Sequence, residues 1–579
     1  MGNPALEKET EVDDGIESAL EPREADAEIV KQHDHKSNSN SNSSSETAST
    51  YSYQERLGIT TQPPSRVISR TVSEVRDGIE SRHDVDLEQG QSPAEKVSSA
   101  AAPDPNDPNL VTWTGLDDPE NPKNWSFPRK WGVVFIVSIF TFVSPVSSSM
   151  VAPSLAAIGQ ELNITEPFQQ NIVLSIFVLA YALGPLAWGP LSELYGRVPV
   201  LQLTNLGFLA FTLGCGFART KGQIVAFRFL SGLGGSASLA IGGGVLGDLF
   251  AAEHRGRAMS VYSLAPLLGP AVGPIAGAFV TETTTWRWAF WAVCVADAAI
   301  QTAGLFFLQE TYAPVLLARK RALLARETGN AALRTPYDDT SNPGVWAILR
   351  SAMVRPFRML STQVIVFCIG LYMMYLYGLM YLMLSSFPSL FTGPPPTGYG
   401  MSTGVGGLNY ISLGVGFFLG AQLCAPLQDR IYAALKRRYG PPGRPEFRVP
   451  MMVPGAVLVP VGLFVYGWTA EHKTHWIGPN VGAALFAAGA IMGFQCLQGF
   501  LVDSYQRFAA SAVGAATVMR SLAGFGFPLF APSMYDRLGY GWGNTLMAFL
   551  GILIGWPGPF LLWKYGEVLR KRSPFAAGG

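Results

Sequence analysis

Between Arg358 and Asp429 the chain runs for 70 residues without an Asp, Glu, Lys or Arg, and a second such stretch of 30 residues separates Lys130 from Glu161. A water-facing fold cannot be covered by so few charges, whereas about 20 consecutive apolar residues cross a bilayer as a helix. Helix is the form such stretches take in lipid, because it pairs its own backbone groups where no water is available. The whole chain agrees, being 48% apolar and 15% charged, well short of the roughly 25% charged residues of soluble domains.

The net charge of zero hides a division. Residues 1–109 hold 22 acids against 10 Lys and Arg, and the remainder holds 20 against 32. An acidic arm with a Ser/Asn run from Ser37 to Ser45 reads as a disordered tail over 1–110, with Ser69, Thr71 and Ser73 as open phosphorylation candidates. The arm has no apolar core, so it is not a cleavable signal peptide. Secreted, disulfide-built and nucleic-acid-binding proteins are disfavoured by the same composition. The five cysteines fall in apolar stretches without a CxxC pair and read as small buried hydrophobes.

Charges, Gly/Pro clusters and polar turns divide the body into twelve expected spans. Six lie at about 131–151, 168–189, 199–218, 223–249, 258–281 and 288–309, and six more at about 361–386, 402–426, 449–468, 476–501, 509–532 and 542–564. The loops after even-numbered spans up to the tenth hold 18 Lys and Arg, against five on the opposite side. This asymmetry places both termini in the cytosol. The expected fold class is therefore all-α and integral to the membrane. An N-terminal six-helix half over 111–309 is joined by a cytosolic linker, 310–360, to a second half over 361–566, and a short cytosolic tail covers 567–579. The linker is expected to form amphipathic helices around Val315–Leu324 and Val345–Leu360. Pro190-Leu191-Ser192-Glu193 and Pro426-Leu427-Gln428-Asp429 end spans 2 and 8, and Asp248 and Asp503 end spans 4 and 10, as parallel repeats would.

The loop Gly189-Pro190-Leu191-Ser192-Glu193-Leu194-Tyr195-Gly196-Arg197 resembles the signature loop of the major facilitator superfamily. Gly196 permits a tight turn, and Arg197 is placed to pair with Glu193 or Asp248 in a clasp that breaks as the protein changes shape. Leu194 and Val198 depart from the basic residues common in the family. Arg228-Phe229-Leu230-Ser231-Gly232 is similar to a second family motif. The resemblance implies a part in proton coupling for Arg228, and snorkelling beside Arg219 and Lys221 is the alternative. Gly269-Pro270-Ala271-Val272-Gly273-Pro274-Ile275-Ala276-Gly277 resembles the antiporter motif of span 5. Gly269, Gly273 and Gly277 make one smooth face, Pro270 and Pro274 bend the helix, and the expected place of that face is a gate between the halves. With Asn121-Pro122-Lys123-Asn124-Trp125 and Leu501-Val502-Asp503-Ser504-Tyr505, the chain over about 113–575 resembles the twelve-span drug:proton antiporters of fungi.

A substrate cavity is expected around Met373, Tyr377, Met380 and Tyr381 of span 7, whose thioether and phenol side chains suit varied apolar cargo. Asn409, Gln422, Gln495 and Gln498 are its neutral polar candidates. Asp297 is the one acid well inside a span, and whether it faces lipid or protein is open; Arg520 lies within span 11. Every His lies in the tail or loops, and there is no HExxH or Walker loop, so an enzyme or an ATP-driven pump is not expected.

The resemblance implies an efflux transporter that exports hydrophobic or cationic small molecules in exchange for protons, with no cofactor or metal, acting as a monomer. A dedicated exporter of a fungal secondary metabolite is the alternative, with polyamine export or passive facilitation behind it. The plasma membrane is the expected location and the vacuole the second. Asn163-Ile164-Thr165 is a glycosylation sequon in the first outer loop.

Overall fold

A computed structural model describes residues 107–576, apart from 116, 251–254, 339–344 and 441–442. The expected tail, except its last four residues, lies outside the described residues. Within them the chain is helical, with one isolated bridge between Leu110 and Arg334. Eleven elements are long and apolar enough to cross a bilayer. The last of these contains two crossings. Gly539 breaks it with φ 69° and ψ 176°, a left-handed backbone that suits glycine, and a Cβ there would meet the Glu471 carboxylate at 2.6 Å.

The spans are numbered in chain order. In the first group α1 is Phe127–Ser149, α2 Pro167–Tyr195, α3 Arg197–Gly216, α4 Lys221–Leu249, α5 Arg255–Thr283 and α6 Trp286–Phe307. In the second α7 is Val364–Phe391, α8 Ile411–Tyr439, α9 Met452–Glu471 and α10 Ile477–Ser504, and the element broken at Gly539 supplies α11 (509–538) and α12 (540–555).

The two groups repeat one packing plan. In the first, α2 packs on α4, α3 on α4 and α6, and α1 on α5. In the second, α8 packs on α10, α9 on α10 and α12, and α7 on α11. Sequence periodicity alone could not have paired the helices in this way. The alternation of crossings gives two faces, called here the Arg197 face and the Asn163 face after residues at each.

Three boundaries differ from expectation. Helix α8 continues to Tyr439, carrying Lys436, Arg437 and Arg438 beyond the apolar run. Helix α12 ends at Gly555, and Pro557–Lys571 forms a separate helix whose Arg570 pairs with Glu446 at 3.0 Å. The linker forms helices Ala313–Thr328 and Val345–Thr362, slightly longer than expected. Of the cysteines, Cys368 is exposed, while Cys215, Cys294, Cys424 and Cys496 are buried.

The segment before α1 is tied to that linker. Asn121 accepts from the Lys123 N–H and caps the turn Pro122–Asn124. Asp118 accepts from the backbone N–H groups of Thr114 and Glu120, each at 2.8 Å, and lies 3.5 Å from Lys320 on helix Ala313–Thr328. These backbone donors, with Lys320 adding to them, hold the Asp118 carboxyl down at about 2.

Candidate functional site

At the Arg197 face, Gly196 turns the chain from α2 into α3 with φ 105°. A side chain there would collide with the Glu310 carboxylate, which accepts the backbone N–H groups of Arg197 at 3.0 Å and Val198 at 3.2 Å. Arg197 itself donates to Ser192 at 2.8 Å, pairs with Asp248 at 3.3 Å and reaches Glu193 at 3.7 Å. Arg197 thus meets both acids within the first group of helices, and the turn has a third acid that the sequence did not single out. Glu310 lies just past α6, where nothing in its spacing marks it as an acceptor for main-chain N–H groups. The second group repeats the arrangement, with Arg448 at the entry to α9 bonded to Asp503 at the end of α10 at 2.5 Å.

Arg228 is 0% exposed, which removes the snorkelling alternative. Its guanidinium donates to the carbonyls of Ser147 at 2.8 Å, Ser148 at 3.0 Å and Val173 at 3.1 Å, and packs over the rings of Phe177 and Phe290. Ser147 and Ser148 belong to the last turn of α1, whose carbonyls have no partner within the helix. Arg228 therefore caps α1 with a cation at its negative end and ties it to α2 and α4.

The glycine face of α5 does not lie between the two groups. A Cβ on Gly269 would meet Pro145 at 2.6 Å, one on Gly273 would meet the Val146 carbonyl at 2.6 Å, and one on Gly277 would run into the Met150 carbonyl. All three glycines face α1 and the turn after it. Pro270 and Pro274 are buried in the same helix. The contact with the second group uses another side of α5, with the glycines contributed from across: Gly414 lies against Ala271, Gly407 against Ala278, and the Gly404 N–H donates to Glu282 at 2.6 Å. A four-residue period shows that a face is smooth; it does not show which neighbour the face meets.

Where α1, α2, α7, α10 and α11 converge, Ser144 and Tyr181 share a hydrogen bond at 2.5 Å, and Ser148 and Tyr381 share one at 2.9 Å that joins the two groups. Tyr377 is half-buried beside Tyr381 and Phe494, with ring centroids 5.1 and 6.1 Å away. The Arg520 guanidinium lies 5.1 Å from the Tyr377 ring. Gln498 is exposed one helical turn from Phe494 on the same side of α10.

The remaining cavity candidates lie elsewhere. Met373 and Met380 are buried in the core of the second group. Asn409 is at the Asn163 face, accepting from Asn480 at 2.5 Å and donating to the Gly406 carbonyl at 3.0 Å, so it pins a corner there. Gln422 is exposed on α8 near the exposed Val415 and Leu419. Gln495 is half-buried, and its Oε1 has no partner among the described residues. Asn163 is exposed with φ 55°, in the loop between α1 and α2. The sequence reading missed Ser144, Ser148, Tyr181 and Phe494. Only the serine run Ser147-Ser148-Ser149 gave any signal, as polar groups in an otherwise apolar helix.

Asp297 faces protein. It is 0% exposed, and both its oxygens lie 3.1 Å from the Asn205 amide nitrogen of α3, which also donates to Gln301 at 2.8 Å. Among the described residues it has no cationic partner.

Two repeated six-helix groups meeting at this polar-aromatic cluster, the candidate chamber, have the architecture of a membrane transporter. The chain belongs to the major facilitator superfamily, whose family model matches residues 137–528. Over 493 residues it is 50% identical to the efflux pump vrtL of Penicillium aethiopicum, covering 85% of this chain and 96% of that one. The efflux pump radE of Floropilus chiversii is 42% identical over 484 residues, covering 83% and 88%. The MFS-type transporter penM of Penicillium rubens is 42% identical over 469 residues, covering 81% and 91%. A partially occluded inward-open structure of the xylose transporter XylE from E. coli shares the fold, with a TM-score of 0.55 at 15% identity over 76% of this chain and 98% of that one.

Proposed function

We propose that this transporter is a secondary active exporter, moving hydrophobic small molecules across the plasma membrane in exchange for protons, with the Arg197 face and both termini cytosolic. The observation that carries the reading is the polar-aromatic cluster at the convergence of the two groups, together with the bonds that join the groups toward the Asn163 face. There Ser148 meets Tyr381 and Glu282 meets the Gly404 N–H. A central site sealed on one side is one state of an alternating-access cycle. The direction of transport is supported by the relatives named efflux pumps, and the orientation by the excess of Lys and Arg on the Arg197 side. Asp297, a buried acid with only neutral amides beside it, is the group within the spans best suited to take up and release a proton.

Expression in a yeast strain stripped of its own exporters tests the reading. Cells making the protein should accumulate less of a hydrophobic fungicide than control cells, and an uncoupler should abolish the difference while cellular ATP is maintained. Equal accumulation with and without the protein across a panel of such compounds would count against export.

A further inference from the structure

We propose that the chamber takes its cargo as an organic anion on a flat aromatic frame, an aryl carboxylate or an acidic phenol, and that Arg520 is the residue that reads the charge. The proposal rests on the export reading and narrows its substrate class.

Arg520 stands eleven residues into α11, about 16 Å along the helix from its start at the Arg197 face. A guanidinium at such depth is costly unless something compensates it. The other arginines of the framework are compensated: Arg228 by main-chain carbonyls, Arg197 by Asp248 and Ser192, and Arg448 by Asp503. Arg520 makes no ion pair or hydrogen bond among the described residues, and its Nε is shielded from solvent without a partner. Tyr377 covers one face of the guanidinium at 5.1 Å. That contact leaves the edge, where all five N–H donors lie, unused. A planar fork of donors fits the two oxygens of a carboxylate, and such charge-assisted pairs are the strong ones.

The surroundings point the same way. Asp297 turns to Asn205 on α3, Asp248 and Asp503 are engaged by arginines at the Arg197 face, and Glu282 holds the Gly404 N–H at the other. None of these carboxylates pairs with Arg520. The chamber is therefore biased toward negative charge. Tyr377, Tyr381 and Phe494 supply ring faces and edges around that charge. Aromatic cargo gains most from such walls. The two requirements together describe an aromatic acid.

Equilibrium binding to the purified full-length protein in lipid nanodiscs, with no ion gradient, tests this. The probes are 2-naphthoate, its neutral analogue 2-naphthamide, and 2-naphthylmethylammonium. The wild type should bind naphthoate at least ~10-fold more tightly than naphthamide, and the ammonium probe most weakly. Arg520→Gln should abolish the preference, bringing naphthoate to within about twofold of naphthamide. Arg520→Lys should keep the preference for the anion but weaken naphthoate binding about threefold or more, because an ammonium cannot bond both oxygens in one plane. A wild type without the preference, or an Arg520→Gln protein that retains it, overturns the proposal. If Arg520→Gln does not fold, the wild-type preference and the lysine variant decide, and unchanged naphthoate affinity in Arg520→Lys contradicts recognition by the fork. Since no gradient is present, loss of the preference strikes this inference alone, while loss of gradient-driven accumulation strikes the export reading alone.

Discussion

Arg228 on α4 donates to the carbonyl of Ser147 on α1 at 2.8 Å, and its second nitrogen reaches the next carbonyl along, that of Ser148, at 3.0 Å. The cation thus closes a helix end. Ser148, whose carbonyl it holds, also bonds Tyr381 across the two groups. Arg228 is in this way one step removed from the contact that seals the chamber.

Arg228→Ala strands these carbonyls in an apolar setting, and a buried polar group left without its partner costs about 1–3 kcal/mol. The expected outcome is a lower unfolding temperature of the purified protein together with loss of transport. Arg228→Lys should recover only part of the stability, since one ammonium cannot serve α1 and α2 together. Unchanged stability in Arg228→Ala would contradict the capping role.

The glycines divide into two classes by what they touch. Gly273→Ala drives a Cβ into the Val146 carbonyl and separates α1 from α5 within one group. Overpacking of this kind costs about 1–3 kcal/mol, so abundance and thermal stability should both fall. Gly414→Ala meets Ala271 at 2.9 Å across the two groups. It should weaken the seal at the Asn163 face, which shifts the balance of conformations while sparing the packing of each group. Accessibility of a cysteine placed in the chamber to an impermeant thiol reagent added from the Asn163 side should rise in Gly414→Ala. No rise there, with a rise in Gly273→Ala, would reverse the assignment.

Much of the architecture was legible in the sequence. Charge-free runs locate the spans, and the bias of Lys and Arg gives an even count of crossings, because both follow from residue type alone. The Gly196–Arg197 turn and two of its acids, Glu193 and Asp248, were legible for the same reason: a glycine, a cation and nearby acids at helix ends have few arrangements. What stayed hidden depends on neighbours far away in the chain. The acceptors of Arg228 are main-chain carbonyls, which no residue type announces. Met373 and Met380 share a helical face with Tyr377, yet the stripe gives no sign of where core ends and chamber begins. Asn409 is polar in an apolar run because Asn480 needs it, and not because a substrate does.

The pre-span strap gives a pH dependence with a fixed sign. Asp118 has its folded value lowered from 3.8 to about 2, so its contribution is fully present above 3.8 and is lost as the pH falls through about 2. Hydrogen exchange at the Thr114 and Glu120 amides, which Asp118 accepts, should quicken across that window relative to amides within α1. Asp118→Asn should show the faster exchange already at neutral pH. Equal exchange in the two proteins at pH 7 would remove the strap's dependence on this carboxylate.

Asp297→Asn keeps the shape of the side chain beside Asn205 and Gln301 while removing the proton-binding group. The protein should reach the membrane in normal amounts and still let cargo move downhill, but it should no longer move cargo uphill. Uphill export equal to that of the wild type would take Asp297 out of the coupling path.

The most direct measurement is cargo accumulation in proteoliposomes that hold the protein with its Asn163 face inward and carry an imposed pH gradient. With an acidic lumen, a radiolabelled hydrophobic substrate should accumulate inside well above its external concentration, and the lumen should lose protons as it does so. Collapsing the gradient with an ionophore should release the accumulated cargo down to equilibrium. Cargo that merely equilibrates, at a rate and to a level indifferent to the gradient, would contradict proton-driven export and make this chain a passive facilitator.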